Sequence, residues 1–533
     1  MFRAYEARDE DGVAGLSQRD WILSVDVGTS SVKAAVFDEK VRLVAERSSG
    51  YPLIQAQLGW VEQDPMKVKD AFHQAIRSVL KVVKKRPKVI VLSTAMHALL
   101  GIDQYNTPVT NLVTWADQRA ESIARKLRSQ SEGLEIYQRT GTPIHAMSPL
   151  LKLAWFRDNR PDLMGEVKKW VDLKSFILHD LIGEWVIDES LASATGLYNL
   201  FTHEWDEKAI QWCGVSIDQM PRIVKTTEIL KGIQPESAEE TGLSSDTWVV
   251  AGASDGALAN LGVGAVHPGS FAISIGTSGA VRGVVQQPKL DAEGRLFCYV
   301  VDDNHYIVGG PINNGGIVLR WLQGLLYSGN LSSDALAQDA ATASRDFYTK
   351  MNEEVAGIAP GTEGLFCLPY LTGERAPLWR EDVSGSFRGL KLSHTRAHLA
   401  RSVLEGISYQ LNSVVELLIH MTGSPHEIRA TGGFSNSEVW VEILTDILGT
   451  PLGIPEHTQG SALGGAFLAW YALGQLESLE RCAELVPLSR IQEPKPEHQK
   501  RYQEGYQLYQ ELVRLGETQF HQLYEFAQGG SSK

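Results

Sequence analysis

Trp21-Ile22-Leu23-Ser24-Val25-Asp26-Val27-Gly28-Thr29-Ser30 decides how this chain is read. An apolar run leads to a carboxylate and then to a tight Gly-Thr turn, the pattern of a buried strand that delivers polar groups at its end. The pattern returns in the second half as Phe271-Ala272-Ile273-Ser274-Ile275-Gly276-Thr277-Ser278-Gly279. Two such turns facing each other can hold a polyphosphate from both sides, because glycine lets backbone N–H groups approach the oxygens. One turn is headed by Asp26 and the other carries no carboxylate. That asymmetry implies machinery that moves a phosphoryl group.

Working outward, Val32–Phe37 reads as the hairpin partner of the first strand and Arg42–Glu46 as a third strand. Residues 64–85 read as an amphipathic helix, followed by the buried strand Val89–Ser93. Strands and helices mixed in this way indicate an α/β domain. The second half repeats the plan, with strands at 271–275 and 281–285 and helices at about 396–421 and 437–448, Thr395 serving as N-cap. Gly460–Gly474 reads as a small-residue helix that packs closely on a neighbour. The middle, about 120–215, reads as mostly helical, its Trp155, Trp170, Trp185, Trp205 and Trp212 acting as core or groove walls. The break at Gly264–Gly269 divides an N-terminal domain, 21–265, from a C-terminal domain, 266–490, and a ligand is expected in the cleft between them. Residues 1–20 read as a disordered leader, 491–533 as a helical tail, and the terminal Gly-Gly-Ser-Ser-Lys as disordered.

With 533 residues, 43% of them hydrophobic and 21% charged, the chain is an ordinary globular composition too long for one core. Its 50 basic and 64 acidic residues give a net charge of -14, which repels phosphate backbones and disfavours a nucleic-acid partner. Cys213, Cys298, Cys367 and Cys482 form no CxxC pair, so neither a zinc knuckle nor a redox motif is supported, and a reducing, cytoplasmic location is expected. No apolar run reaches transmembrane length, and no secretory h-region opens the chain, so no membrane partner is expected.

In the first turn, Thr29 and Ser30 add hydroxyl donors, Lys33 can neutralise charge, and Asp26 suits Mg²⁺, which prefers carboxylate and water oxygens. A plain hairpin turn is the alternative for either copy alone. Asp255, in Ala251–Ala257 at a strand end, can accept the proton of a hydroxyl attacking a γ-phosphorus, or simply cap a helix. In Thr431–Ser437, Gly432 and Gly433 let a flat ring or phosphate lie against the backbone and Asn436 can bond a base edge; a capped turn explains them equally well.

Further motifs carry a resemblance. Met147–Asn159, Gly385–Leu390, His398-Leu399 and Ser402–Glu405 resemble the two signatures of the FGGY family of carbohydrate kinases, over roughly residues 21–490. The resemblance implies two actin-like, ribonuclease-H-type α/β domains that close around ATP and a sugar or polyol. It implies Asp26 for Mg²⁺, Gly28, Thr29, Ser30, Lys33, Gly276 and Thr277 at the phosphates, and Asp255 as catalytic base. It puts Gly432, Gly433 and Asn436 at the adenosine, Gly316 near the nucleotide, and Met96, His97, Trp115, Asp117 and Arg119 on the substrate loops. Thr114–Arg119, Arg139–His145 and Leu371–Trp379 are most similar to gluconate kinases. The acceptor implied is thus a sugar acid, D-gluconate phosphorylated on its terminal hydroxyl. A xylulose or other ketose or polyol kinase is the alternative, and a catalytically silent sugar sensor is the alternative of another class. A carboxylate wants a cation or several donors, for which Arg119, His145, His97 and Lys152 are candidates. Lys152 also belongs to the family-wide signature, and His145 reads equally as a satisfied loop histidine. Ala98 stands where xylulokinases carry glycine. Oligomeric state stays open, a homodimer being one option.

Overall fold

The computed structural model describes residues 20–326, 345–456 and 460–527. The leader, apart from Asp20, and the terminal Gly-Gly-Ser-Ser-Lys lie outside the described residues.

Two sheets organise the chain. The first has six strands in the order Ile229–Leu230, Trp248–Ser254, Val89–Thr94, Ile22–Val27, Ser31–Phe37 and Leu43–Gly50. Ile22–Val27 is central, antiparallel to Ser31–Phe37 with Asp26 opposite Lys33, and parallel to Val89–Thr94 with Asp26 opposite Ser93. Its near-continuous apolar sequence fits a strand covered on both faces. The parallel pairing needs a crossover, supplied by the helix Pro65–Leu80, which starts at an Asp64 cap with Pro65 in its first turn. Val68, Phe72, Ile76 and Val79 bury its apolar face. The helix ends at Leu80, short of the expected 85, with Lys81 as its C-cap and the β-branched pair Val82-Val83, a weaker helix former, following.

The second sheet repeats this plan with seven strands: Phe297–Asp302, His305–Ile312, Gly279–Val285, Ser270–Ile275, Glu427–Thr431, Leu452–Pro455 and Leu488–Gln492. Ser270–Ile275 is its central strand, antiparallel to Gly279–Val285 and parallel to Glu427–Thr431. Both Gly-Thr turns therefore close hairpins at the same end of equivalent strands.

Helices Asp255–Gly262 and Gly460–Ala472 cross between the two sheets. A Cβ on Gly262 would lie 1.7 Å from the Gly460 carbonyl oxygen, and one on Gly464 would lie 1.8 Å from that of Leu258. Backbone meets backbone, as the glycines of the small-residue helix require. Gly460–Ala472 follows the second lobe in sequence but packs on the first sheet, with Gly465 against Ser24. Fully buried Trp470 donates its indole N–H to the Asp20 carbonyl at 2.8 Å.

Between the first lobe's strands lie short helices from Glu121 to Cys213. Trp170 there is fully buried, and Trp155 packs edge-on against Trp60. The tail is one helix, Pro496–Ala527, that buries Tyr502 and Tyr509 against the second lobe. All four cysteines are buried and free. Among the described residues no helix is long and apolar enough to cross a membrane.

Candidate active site

The first turn is stiff. Gly28 N–H donates to the Ser31 carbonyl at 3.0 Å, and Gln63 Nε2 donates to the Thr29 carbonyl at 2.6 Å. Asp26, half-buried at the strand end, accepts from Ser93 Oγ at 2.6 Å on one oxygen and from Ser461 Oγ at 2.8 Å on the other. Ser461 opens the crossing helix, so both ends of the chain converge on this carboxylate. Lys33 is exposed beside it in the hairpin, and Ser30 is exposed at the tip.

The second turn is braced likewise. Gly276 N–H donates to Ser278, Gly316 N–H donates to the Gly276 carbonyl at 2.7 Å, and Ile317 N–H to that of Thr277 at 3.1 Å. The helix Gly316–Leu326 thus begins against the turn, and Arg320 donates to the Thr277 hydroxyl at 2.9 Å. Gly432 has φ 108° and presses on the Ile275 carbonyl, where a Cβ would stand 2.3 Å away, so only glycine fits. It carries the short helical turn Gly433–Asn436 to the lip of the same strand ends, where Gly433 and Asn436 are exposed.

A cavity of about 330 Å³ lies between the turns. Thr29, Met96, His97, Trp115, Asp255, Gly276 and Thr277 line it, seven residues expected from sequence and drawn from both lobes. Asp255 is the first residue of its helix and not the cap: Ser254 caps, accepting from Ala257 N–H, and the Asp255 carboxyl accepts Gly256 N–H at 2.7 Å on one oxygen while lining the cavity. Burial, with the nearby Asp26 charge adding, pushes its carboxyl up to about 6.

His97 sits in left-handed backbone, φ 65°, which a non-glycine residue adopts only when held. The buried Lys152 ammonium holds it by donating to the His97 carbonyl, and to that of Val113 at 3.3 Å. Burial lowers Lys152 to about 7, so a loop brace is what this lysine supplies. His97 Nδ1 lies 2.7 Å from the Ala194 carbonyl, and burial pushes its ring down to about 3. The neutral ring therefore donates from Nδ1 and presents Nε2 as an acceptor. Trp115 donates to the Thr29 hydroxyl at 2.9 Å, tying its loop to the first Gly-Thr turn.

Asp117, Arg119 and His145 do not reach the cavity. Buried Asp117 accepts from Val61 N–H and Arg119, and Arg119 also pairs with Glu62 and stacks on Trp60 at 3.9 Å. His145 accepts Met147 N–H on Nδ1 and donates from Nε2 to Glu381 at 3.0 Å, a bond between the lobes. Their polar groups are spent on holding loops. In their place the cavity contains Met147, Phe297, Tyr299, Arg282 and Arg375. Arg375 is held by Asn313 at 2.6 Å and lies over the Trp115 ring at 5.0 Å. Behind it, buried Glu374 accepts from Asn314 Nδ2 at 3.0 Å and is raised by burial to about 7. The sequence signal for Arg282 was a lone charge in the otherwise apolar strand Gly279–Val285.

Two domain models match in register with the two lobes: the N-terminal domain of the FGGY family of carbohydrate kinases over residues 21–262, and its C-terminal domain over 271–473. The chain belongs to the FGGY family of carbohydrate kinases. It is 40% identical to the gluconokinase of Bacillus subtilis (strain 168), over 96% of this chain and 98% of the relative. It is 28% identical to a xylulose kinase of Staphylococcus epidermidis, over 93% and 97%. Among solved structures, gluconate kinase from Lactobacillus acidophilus superposes with a TM-score of 0.87 at 34% identity, covering 93% of this chain and 98% of that one. Ligand-bound xylulose kinase from the same organism superposes at 0.88 with 33% identity, over 94% and 99%. The two actin-like lobes expected of this carbohydrate kinase family are those of the two sheets.

Proposed function

We propose that this FGGY-family enzyme transfers the γ-phosphoryl group of ATP to the terminal hydroxyl of D-gluconate, giving 6-phospho-D-gluconate. The observation that carries the chemistry is Asp255: a carboxyl at about 6, facing a sugar-sized cavity between two phosphate turns. At neutral pH it is ionised and basic enough to accept the hydroxyl proton as the oxygen attacks phosphorus. Similarity to gluconokinases at 40% identity supports the acceptor.

His97 Nε2 would accept from an acceptor hydroxyl and Trp115 would wall the sugar, both positioning the chain for in-line attack. With the Gly28 and Gly276 N–H groups spent inside their turns, the backbone N–H groups of Thr29, Ser30 and Thr277 would cradle the phosphates, Gly28 and Gly276 giving them close approach and Lys33 adding charge at the mouth. Gly316, Gly432, Gly433 and Asn436 would border the nucleoside. Asp117, Arg119 and His145 act through the loops they hold. Around Asp26 the donors are oxygens alone, a carboxylate with two hydroxyls, which suits Mg²⁺. When bound there, the ion would offset charge on the β- and γ-phosphates. Four free, buried cysteines suit a reducing compartment such as the cytoplasm.

D-xylulose is the second candidate, on the TM-score of 0.88 to a xylulose kinase. ADP release measured with gluconate, xylulose, ribulose and glycerol separates the two. Saturable turnover of gluconate is expected; turnover of xylulose with none of gluconate would move the assignment to the ketose.

A further inference from the structure

Behind the cavity, the backbone leading to Asp255 is gripped by a charge pair. Lys174 and Asp188 are both fully buried, the ammonium 2.7 Å from Asp188 Oδ2, and neither lines the cavity. Such a pair adds little net stability, because desolvating two charges offsets most of their attraction, and apolar side chains of similar volume would serve as well. What apolar side chains cannot do is donate. The Lys174 ammonium donates to the Ala253 carbonyl at 2.9 Å, two residues ahead of Asp255.

The grip falls where the strand needs one. The pairing of Trp248–Ser254 with Val89–Thr94 slips register between Val250 and Ala253. Gly252 there has φ 80° and lies on the Leu92 carbonyl, where a Cβ would stand 1.8 Å from the oxygen. Such an irregularity re-aims the side chains that follow and interrupts the ladder that would fix them. The short helix Glu189–Ser193, capped by Asp188 through Leu191 N–H at 3.0 Å, supplies the remaining holds. Buried Ser190 accepts Ser254 N–H on its Oγ at 3.2 Å and lies 3.0 Å from Ser254 Oγ, the hydroxyl that caps the Asp255 helix. Lys174, Asp188 and Ser190 together hold the carbonyl of residue 253 and the amide and hydroxyl of residue 254.

We propose that Lys174, fixed by Asp188 and aided by Ser190, is a positioning residue for the base, setting the line along which Asp255 meets the acceptor hydroxyl. It acts through Asp255 and touches no substrate. This rests on the assignment of Asp255 as the base and not on which acceptor is used.

Steady-state kinetics with MgATP and whichever of D-gluconate and D-xylulose is turned over tests it. Lys174→Met/Asp188→Asn removes both charges together and keeps an oxygen to cap Leu191 N–H. Its kcat should fall about 30-fold, with KM for ATP and for the acceptor within about twofold of wild type, since only the approach of the base is disturbed. In the Asp255→Asn background the same two changes should alter the residual rate by less than about twofold, because a residue that acts through the base then has nothing to position. Ser190→Ala, a smaller change, should lower kcat about fivefold with the same split, and carries the test if the double variant does not fold. A folded double variant with wild-type kcat, a rise in KM alone, or an equal further loss in the Asp255→Asn background overturns the proposal, as does wild-type kcat in Ser190→Ala where it alone folds. Wild-type kcat in Asp255→Asn overturns the assignment of the base and this inference with it, and measuring that variant first separates the two failures.

Discussion

In the proposed mechanism Asp255 is the single side chain that decides the chemistry. Replacing it by Asn should lower kcat by at least about 10³-fold while ATP binding stays close to wild type, a general base being lost without its volume. The pH profile follows from the same carboxyl: kcat/KM should rise through about pH 6 and level off above 7, because only the ionised form accepts a proton. His97, held neutral down to about 3, adds no limb in that range. Stability runs the other way. The folded-state value is raised above the ordinary 3.8, so the native chain binds the proton more tightly than the unfolded one, and stability falls as pH rises from about 4 through 6. Asp255→Asn should therefore gain about 1–3 kcal/mol at pH 7.5 and almost nothing at pH 4, read as a gap in melting temperature that closes on acidification. Asp26 and Asp255 could be found from sequence because each stands at the end of an apolar strand, which fixes where a carboxylate points. Arg119, Asp117 and His145 could not, because a loop side chain faces whichever partner the tertiary fold brings, here Glu62, Val61 and Glu381.

At the scale of elements, the crossing of Asp255–Gly262 with Gly460–Ala472 brings Asp255, the proposed base, near Asp26, the proposed metal-side carboxylate. Gly464→Ala puts a Cβ into the Leu258 carbonyl and should destabilise by about 3 kcal/mol, with activity falling as Asp255 shifts. Gly165→Ala, in an exposed helix with nothing within 4 Å of the new Cβ, is the control and should stabilise slightly, by less than about 1 kcal/mol. Equal effects from both would mean that the crossing is not close-packed. Ser461→Ala should leave melting nearly unchanged and raise the Mg²⁺ concentration needed for half-maximal ATP binding, since Asp26 loses one of the two hydroxyls that orient it. The glycines announced close packing in the sequence. Their partner was not readable, since residues 262 and 464 meet only once both lobes have formed.

The whole molecule joins its lobes along a seam as well as at the crossing. Leu296 and the strand Phe297–Asp302 of the second sheet are bonded to the first lobe: Tyr137 hydroxyl to the Leu296 carbonyl at 2.7 Å, Cys298 N–H to that of Gly141 at 2.9 Å, and Thr226 hydroxyl to that of Val301 at 2.6 Å. The duplicated Gly-Thr turn revealed the two-lobed plan from sequence because each copy is a local strand-and-turn pattern. The seam has no such pattern and was invisible. With Asp255 in a cavity of only about 330 Å³ walled by both lobes, water should compete poorly for the phosphoryl group. ATP hydrolysis without acceptor should run below about 1% of the gluconate rate. Transfer to the terminal hydroxyl of gluconate is read by phosphorus NMR of the wild type with MgATP and D-gluconate. A phosphomonoester signal split into a triplet by the two protons of a terminal CH₂, growing in step with ADP, is expected. Inorganic phosphate as the sole product, or no product with gluconate beside ready phosphorylation of D-xylulose, would contradict it.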